Sequence, residues 1–375
     1  MNQGLHLSLM IGDVKAAPVP RAVIEALTEV QVNASATSQS GFQLKFTLGK
    51  NSVIAKQLLP SGYFGIRRRV IITATVRGTP HVLMDGIITK LDLSPSPESG
   101  ESVFSVTGVD LSALMDFVDF SGIPYPATIP SAVVGIILAK YLAFGVIPMP
   151  IPSMIAQFDN PLEKFRKQNG TDLAYINQLG SKVGHVFYID PGPKPGRSIA
   201  YWGPEIRHGK SQRPLTMNMD AANNVISLSF SYDGLARTQQ VVMIQEENTK
   251  FPIPIPVPDL NPLKPKLARE SASSLKIRQM HNGTAKMKPA EAAQLALAIV
   301  SNSADAVTGN GQLDVLRYGN VLKPRQLVSV RGVADSFNGR YFVKSVTHNI
   351  KRGSFTQSFS LARGGVKSDI SRVAS

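Results

Sequence analysis

The sequence predicts a mainly β chain of the α+β class, with two antiparallel β-rich halves, each a barrel or a sandwich, and small α/β and helical insertions. Three observations predict it. Runs of alternating apolar and polar residues, such as Gly41–Leu48 and Phe355–Leu361, recur in both halves with turn signals between them. Helical periodicity is confined to short stretches. A proline-rich run, Phe251–Pro265, separates the halves.

In the first half, Met1–Ala36 has no clean period, and Asn33–Ser40 is a polar loop. In Gly41–Leu48 the residues Phe42, Leu44, Phe46 and Leu48 alternate with Gln43, Lys45 and Thr47, which is the pattern of a half-buried strand. Val70–Val76, His81–Leu91 and Ser102–Val109 are further strands, with a loop tip at Ser94–Gly100. Asp110 is a good N-cap for a short helix carrying Leu111, Leu114, Met115 and Val118 on one face.

Gly122–Pro152 is proline-rich around an apolar helix, Ser131–Phe144. Asn169-Gly170-Thr171-Asp172 caps a helix with Leu173, Ile176, Leu179 and Val183 on one face, and Gly184 stops it. His185–Asp190 and Ser198–Trp202 pair across a turn, completing a small α/β unit. Asn224–Tyr232 and Gln239–Ile244 are strand-like, and at least one is expected to return to the first half. Phe251–Pro265 has proline at every second position up to Pro258, which rules out an inner strand and predicts an extended linker.

Leu275–Gln279 opens the last part, followed by an Ala-rich helix over Pro289–Asp305. A meander closes the chain: Gln326–Arg331, a turn cluster with Asn338-Gly339 at its tip, Tyr341–Ile350, the turn Lys351-Arg352-Gly353, and Phe355–Leu361. Asn-Gly predicts a tight hairpin with both turn residues at φ > 0.

The domain plan is therefore a first β domain over residues 1–120, completed by strands within 215–245. An inserted α/β domain over 121–214, a linker over 246–268 and a second β domain over 269–375 follow, with a helical insertion at 289–307.

The chain has 375 residues, no cysteine and a formal net charge of +14. Disulfides and thiolate chemistry are excluded. No secretory signal or membrane anchor is expected, since Ala132–Ala139 is too short to span a bilayer. From Val321 onward ten Lys or Arg face Asp335 and Asp369 alone, so the surplus of charge is concentrated in the C-terminal segment. Charged residues make up 18% of the chain, which leaves little material for a solvated surface and hints at burial in an assembly.

Catalytic constellations are not visible, and no enzymatic activity, cofactor or metal is expected. His6, His81, His185, His208, His281 and His348 have no metal-ligand spacing. Glu163, Glu205, Glu246, Glu247 and Asp172 do not converge in sequence, and Asp172 is explained by capping. Arg67-Arg68-Arg69 reads as a solvated strand end. Tyr341 and Phe342, beside Arg340 and Lys344, are candidates for stacking on single-stranded nucleic acid, and barrel core explains them better.

The order of features near the end resembles the late-control D, or tail hub, family of bacteriophages: Leu322-Lys323-Pro324, then Val328–Val333, Phe337–Val343, Ser345–His348 and Phe355–Arg363. The hub half of type VI secretion spike proteins and the hubs of contractile injection systems are similar. Asn169–Asp190 resembles the inserted middle domain of hub proteins more loosely, because His185 and Val186 stand between Gly184 and Phe187.

The resemblance selects barrels over sandwiches, specifically two barrels like the tail tube subunit. It implies a homotrimer that presents six barrels to a hexameric tail tube and meets a separate three-fold spike protein. Other baseplate proteins would be neighbours, and the tape measure protein or DNA would pass through the channel. The implied location is the baseplate of a virion tail or of an assembled injection particle, made in a bacterial cytoplasm. Apart from the resemblance, the charge allows a basic protein that binds nucleic acid or another polyanion.

Overall fold

The computed structural model describes residues 4–49, 51–95, 101–125, 129–153, 166–236, 238–245, 251–256, 262–271, 276–279, 295–296, 298–299 and 305–368. Glu163, Glu246, Glu247, His281 and most of the expected helix Pro289–Asp305 lie outside the described residues.

The N-terminal half contains β1 (Leu5–Gly12), β2 (Ala16–Pro18), α1 (Arg21–Ala26), β3 (Leu27–Ser35), β4 (Gly41–Gly49), a helical turn at Ile54–Leu58, β5 (Arg69–Val76), β6 (Thr79–Pro95) and β7 (Glu101–Asp110). A helical turn at Leu111–Asp116 follows, and the Asp110 side chain accepts from the Ser112 N–H as its N-cap. The middle region comprises β8 (Pro124–Tyr125), α2 (Pro130–Ala139), β9 (Val146–Pro150), β10 (Arg166–Lys167), α3 (Asp172–Val183), β11 (His185–Pro191) and β12 (Ser198–Pro204). Next come β13 (Gln212–Thr216), β14 (Val225–Tyr232), β15 (Thr238–Gln245), β16 (Pro252–Pro256), β17 (Ala268–Ser271) and β18 (Lys276–Gln279). The C-terminal part is β19 (Val307–Asp314), α4 (Val315–Tyr318), β20 (Leu327–Arg331), β21 (Gly339–Lys351), β22 (Ser354–Arg363) and β23 (Gly365–Ser368).

The chain is mainly antiparallel β, as the sequence predicts. Its two halves are joined into one 13-stranded sheet, with the path β14-β19-β22-β21-β3-β4-β7-β6-β5-β1-β2 and with β13 and β20 branching from it. The joint is β21. One edge pairs with β22 from Phe342 to Lys351, while the other takes β20 over Gly339–Phe342 and β3 over Ser345–Lys351. A single apolar core runs through both halves, from Leu44, Phe46 and Phe104 to Val346, Phe355 and Leu361. A second core in the middle region gathers α2, α3 and the sheet β11-β12-β9 around Trp202. Gly180 of α3 permits this approach: a Cβ there would lie 3.2 Å from the Trp202 Nε1.

The halves are topological repeats. In chain order, β3, β4, a helical turn, β5, β6 and β7 correspond to β14, β19, α4, β20, β21 and β22. The pairing order β3-β4-β7-β6-β5 likewise corresponds to β14-β19-β22-β21-β20. The bulges coincide as well. Thr89 is the extra residue in β6 where Lys344 is in β21, and Thr28 is the extra residue in β3 where Ile226 is in β14. Arg67 donates its N–H to Ile88 and Arg325 donates its own to Val343; Ile88 donates back to Arg68 and Val343 back to Gln326. Arg67 and Arg325 both hold positive φ, at 72° and 64°.

Four expectations are corrected. First, neither β14 nor β15 completes the N-terminal half: β14 pairs with β19, and β15 with β16 and β18. Alternation in a sequence shows which face is buried, not which edge a strand joins. Since Tyr232 pairs with Val307, β14 and β19 are a hairpin whose tip has been expanded into residues 233–306. Second, the proline run is not only a linker. Pro252–Pro256 forms β16, an edge strand on β15. Proline at every second residue puts the missing donors on one edge only and leaves the intervening N–H groups free to pair. Third, Asn338-Gly339 is not a two-residue turn. The Asn338 amide bridges a longer loop, accepting from the Val333 N–H and donating to the Val333 carbonyl, and only Gly339 has positive φ, at 123°. Fourth, Thr171 rather than Asp172 caps α3, accepting from the Ala174 N–H at 3.2 Å.

Candidate functional site

The side chains singled out for chemistry serve mainly as internal fasteners. Arg69, expected on a solvated strand end, is buried. It forms a two-pronged pair with Asp85, Nε to Oδ1 and Nη2 to Oδ2 both at 2.7 Å, and donates to the Val14 carbonyl at 2.8 Å. The Ser198 hydroxyl adds a 2.8 Å bond to Asp85, so this pair pins the middle region to the N-terminal repeat. Arg68 pairs with Asp13, and Arg67 lies over the Phe117 ring at 4.6 Å. The basic run is thus consumed locally because the chain turns inward at Arg69.

Arg325 and Arg363 of the C-terminal basic segment, and Arg207 before it, are used in the same way. Arg325 donates to Asp190 of β11 and to the Ser35 carbonyl at the end of β3, each at 2.5 Å, and stacks over Tyr188 at 3.9 Å. One side chain therefore joins three parts of the fold. Arg363 is fully buried and donates to the carbonyls of Gly365, Asn338 and Ser336 while lying over Tyr341. Arg207 grips Asp305 with two bonds and Glu205 with a third, closing the neck of the 233–306 expansion. Burial alone would raise the Asp305 pKa, but the bonds and charge of Arg207 hold it below the usual range.

Asp172 is fully buried and does more than cap. It accepts from the Tyr141 hydroxyl at 2.7 Å and the Gln168 amide at 2.8 Å, and pairs with Lys140 at 2.5 Å. The Gln168 amide oxygen in turn accepts from Tyr125, completing a satisfied buried network. Burial and Asp172 together push the Tyr141 hydroxyl pKa up. A carboxylate so enclosed and shared is poorly placed for proton transfer.

The histidines do not assemble into a site. His348 is buried in β21 with its Nδ1 3.1 Å from the Gln357 amide nitrogen, and burial, with a smaller contribution from His81, lowers its pKa to about 3. His185 packs edge-on against Trp202, and burial lowers its pKa to about 4. No group of His, Asp or Glu among the described residues could hold a metal ion. A cleft of about 410 Å3 at the seam between the N-terminal repeat and the middle region is lined by Arg67, Arg69, Leu114, Phe117, Tyr141 and Phe144. Its polar groups are already committed to the contacts above. Tyr341 and Phe342, weighed as a nucleic-acid platform, are buried. No helix among the described residues is long and apolar enough to cross a membrane.

Strand edges are what the fold leaves available. Two of them are guarded by alternate prolines: β9, with Pro148 and Pro150, and β16. The end strand β2 is only three residues long and finishes in Pro18. At the opposite end of the large sheet, β14 has eight residues, Val-Ile-Ser-Leu-Ser-Phe-Ser-Tyr, with neither charge nor proline. No described strand pairs its outer edge. The outer edge of β6 is open in the same sense beyond Ile88, where β5 has ended. An uncharged open edge is a template for another strand. Alternation marked the strands in the sequence, but their edges become visible only with the pairing order.

No protein-family profile and no curated protein matches the sequence. Solved structures do match the fold. A tail protein from Neisseria meningitidis superposes with a TM-score of 0.61 at 14% identity, over 97% of this chain and 98% of that one. The chain has the tail-protein fold. A 43 kDa tail protein of prophage MuSo2 from Shewanella oneidensis gives a TM-score of 0.57 at 14% identity, over 96% of this chain and 98% of that one. The Francisella PdpA-VgrG complex gives 0.55 at 9% identity, covering 100% of this chain and 55% of that one. The likeness to tail proteins thus extends over both repeats and both insertions.

Proposed function

We propose that the chain is a structural baseplate hub of a phage tail or tail-like injection machine, adapting a hexameric tail tube to a three-fold central spike. One observation carries this reading: two equivalent repeats lie side by side in one polypeptide and share a sheet through β21 and β3. Three copies would present six repeats, so a ring with three-fold symmetry could meet a ring with six-fold symmetry. The tail-protein fold over nearly the whole chain supports the reading. The tail tube would lie above, a separate spike protein below, and other baseplate proteins around it.

Its work is structural rather than catalytic, in keeping with the use of Arg69, Arg207, Arg325, Arg363 and Asp172 as internal ties. These four guanidinium groups are committed within the fold and are not available to phosphates, so a polyanion-binding role would have to rest on exposed residues such as Arg331, Lys344 and Arg352. Native mass measurement at rising concentration, with reconstruction of the assembled particle, tests the proposal. Three copies between tube and spike are expected. A stable monomer that binds DNA with steep salt dependence would overturn it.

A further inference from the structure

The repeat equivalence reaches beyond one chain. Within the molecule, the far half of β21 pairs with β3 of the other repeat, with Val346 opposite Ala34, Thr347 opposite Asn33 and His348 opposite Val32. Matching the bulges makes β6 the equivalent of β21 and β14 the equivalent of β3. Leu91, Asp92 and Leu93 then stand where Val346, Thr347 and His348 stand, and Tyr232, Ser231 and Phe230 stand where Ala34, Asn33 and Val32 stand. The internal contact is made once. Its counterpart, between the far half of β6 and the outer edge of β14, is unmade, and both edges are open among the described residues.

We propose that the outer edge of β14 pairs, antiparallel, with Lys90–Pro95 of a second copy, repeating between molecules the contact that β3 and β21 make within one. The proposal rests on the hub reading and specifies how its copies join. The transferred register places Leu91 opposite Tyr232 of the second copy, Asp92 opposite its Ser231, Leu93 opposite its Phe230 and Lys90 opposite its Asp233.

Three features of the surface fit this register. Leu91 and Leu93 are 36% and 55% exposed, whereas Val346 and His348, their counterparts in the internal contact, are 0% and 3% exposed; Tyr232 on the facing edge is 45% exposed. The one pair that joins two charged residues, Lys90 with Asp233, brings opposite signs together, beside the bond that Lys90 already makes to Asp92 at 2.8 Å. Among the other edge strands, β2, β9 and β16 are short or proline-blocked, which makes them poor competitors. Because the two contacting surfaces differ, the contact runs head to tail and can close into a ring.

The chain has no native cysteine, so a pair introduced across the proposed contact reports on it alone. Asp92 and Ser231 correspond to Thr347 and Asn33, whose side-chain oxygens lie 3.5 Å apart inside the molecule. D92C/S231C, oxidised mildly, is expected to give disulfide-linked species that close at three copies. D92C alone, S231C alone, and the offset pair D92C/L228C are expected to lose that product. An oligomer by native mass that fails to cross-link in D92C/S231C overturns the strand contact and leaves the hub reading standing. A protein that stays monomeric and uncross-linked at every concentration overturns both. Disulfide dimers from S231C alone would mean that β14 pairs with itself about a two-fold axis, which also overturns the proposal.

Discussion

The two repeats share a topology and divide their volume in opposite ways. In the N-terminal repeat β4 carries the bulk: Phe42 lies opposite Gly108 of β7, and a Cβ on that glycine would meet the Phe42 ring at 2.4 Å. In the C-terminal repeat β19 carries glycines, with Gly309 opposite Leu361 and Gly311 opposite Phe359; a Cβ on Gly311 would meet the Phe359 ring at 2.6 Å. Where Phe42 faces Gly108 in one repeat, Gly309 faces Leu361 in the other, so a large residue still meets a glycine while the large residue changes strands. Close packing constrains the volume of the pair rather than the identity of either member. Two sheets can therefore be equivalent while their sequences look unrelated. The repeats also differ in their fasteners. Arg67 and Arg325 share a backbone position and φ, but Arg67 only covers Phe117, whereas Arg325 binds two other parts of the fold.

The sharpest way to break the comparison is at Asp85, whose pair with Arg69 has no equivalent at Leu327 in the other repeat. Asp85→Ala should leave a buried guanidinium without its carboxylate and cost about 3–5 kcal/mol in urea unfolding. A loss under about 1 kcal/mol would show that the pair does not hold the middle region in place.

Acid is the next lever. His348 occupies the position that Leu93 holds in the N-terminal repeat. It is neutral in the folded chain, with a pKa of about 3 against 6.5 for an ordinary histidine. The unfolded chain binds the proton first, so the contribution of His348 to stability is complete above about pH 6.5 and falls toward pH 3, by about 1.4 kcal/mol per pH unit within that window. Denaturation followed between pH 7 and 4.5 should show this slope. His348→Leu, which makes this position resemble its counterpart, should remove that share of the slope and leave the similar share that His185 contributes.

The smallest effect should have opposite signs in the two repeats. A non-glycine residue at positive φ costs about 1 kcal/mol. Arg67→Gly should therefore leave thermal stability within about 0.5 kcal/mol of the parent or raise it. Arg325→Gly gains the same relief but loses the Asp190 and Ser35 contacts and the Tyr188 stack, and should cost about 1–2 kcal/mol net. Equal effects at both positions would mean that Arg325 is not the tie the geometry describes.

These contrasts explain what the sequence could show. β4, β5, β7 and β22 were readable because each presents one apolar face without interruption, and α3 because Gly184 stops it cleanly. Leu27–Ser35 was not readable as a strand because the bulge at Thr28 breaks the alternation. The proline run reads as a linker because proline is generally depleted in strands, while its period of two is what one edge of a strand tolerates. Asp172, Arg69 and Arg325 gave no local sign of burial, since their partners lie far along the chain at Tyr141, Asp85 and Asp190. The repeat itself was hidden by the exchange of Phe42 and Gly108 for Gly309 and Leu361.

The expanded hairpin between β14 and β19 also has a kinetic consequence. In the N-terminal repeat β3 and β4 are separated by a few residues and can zip as soon as they leave the ribosome, whereas β14 must wait for residues 233–306 to be made. Were that stretch unstructured, closing it would cost about 2 kcal/mol more in chain entropy than closing the short loop. The N-terminal repeat should therefore be complete first, offering β3 as a ready-made template on which β21, and then the rest of the later repeat, can register.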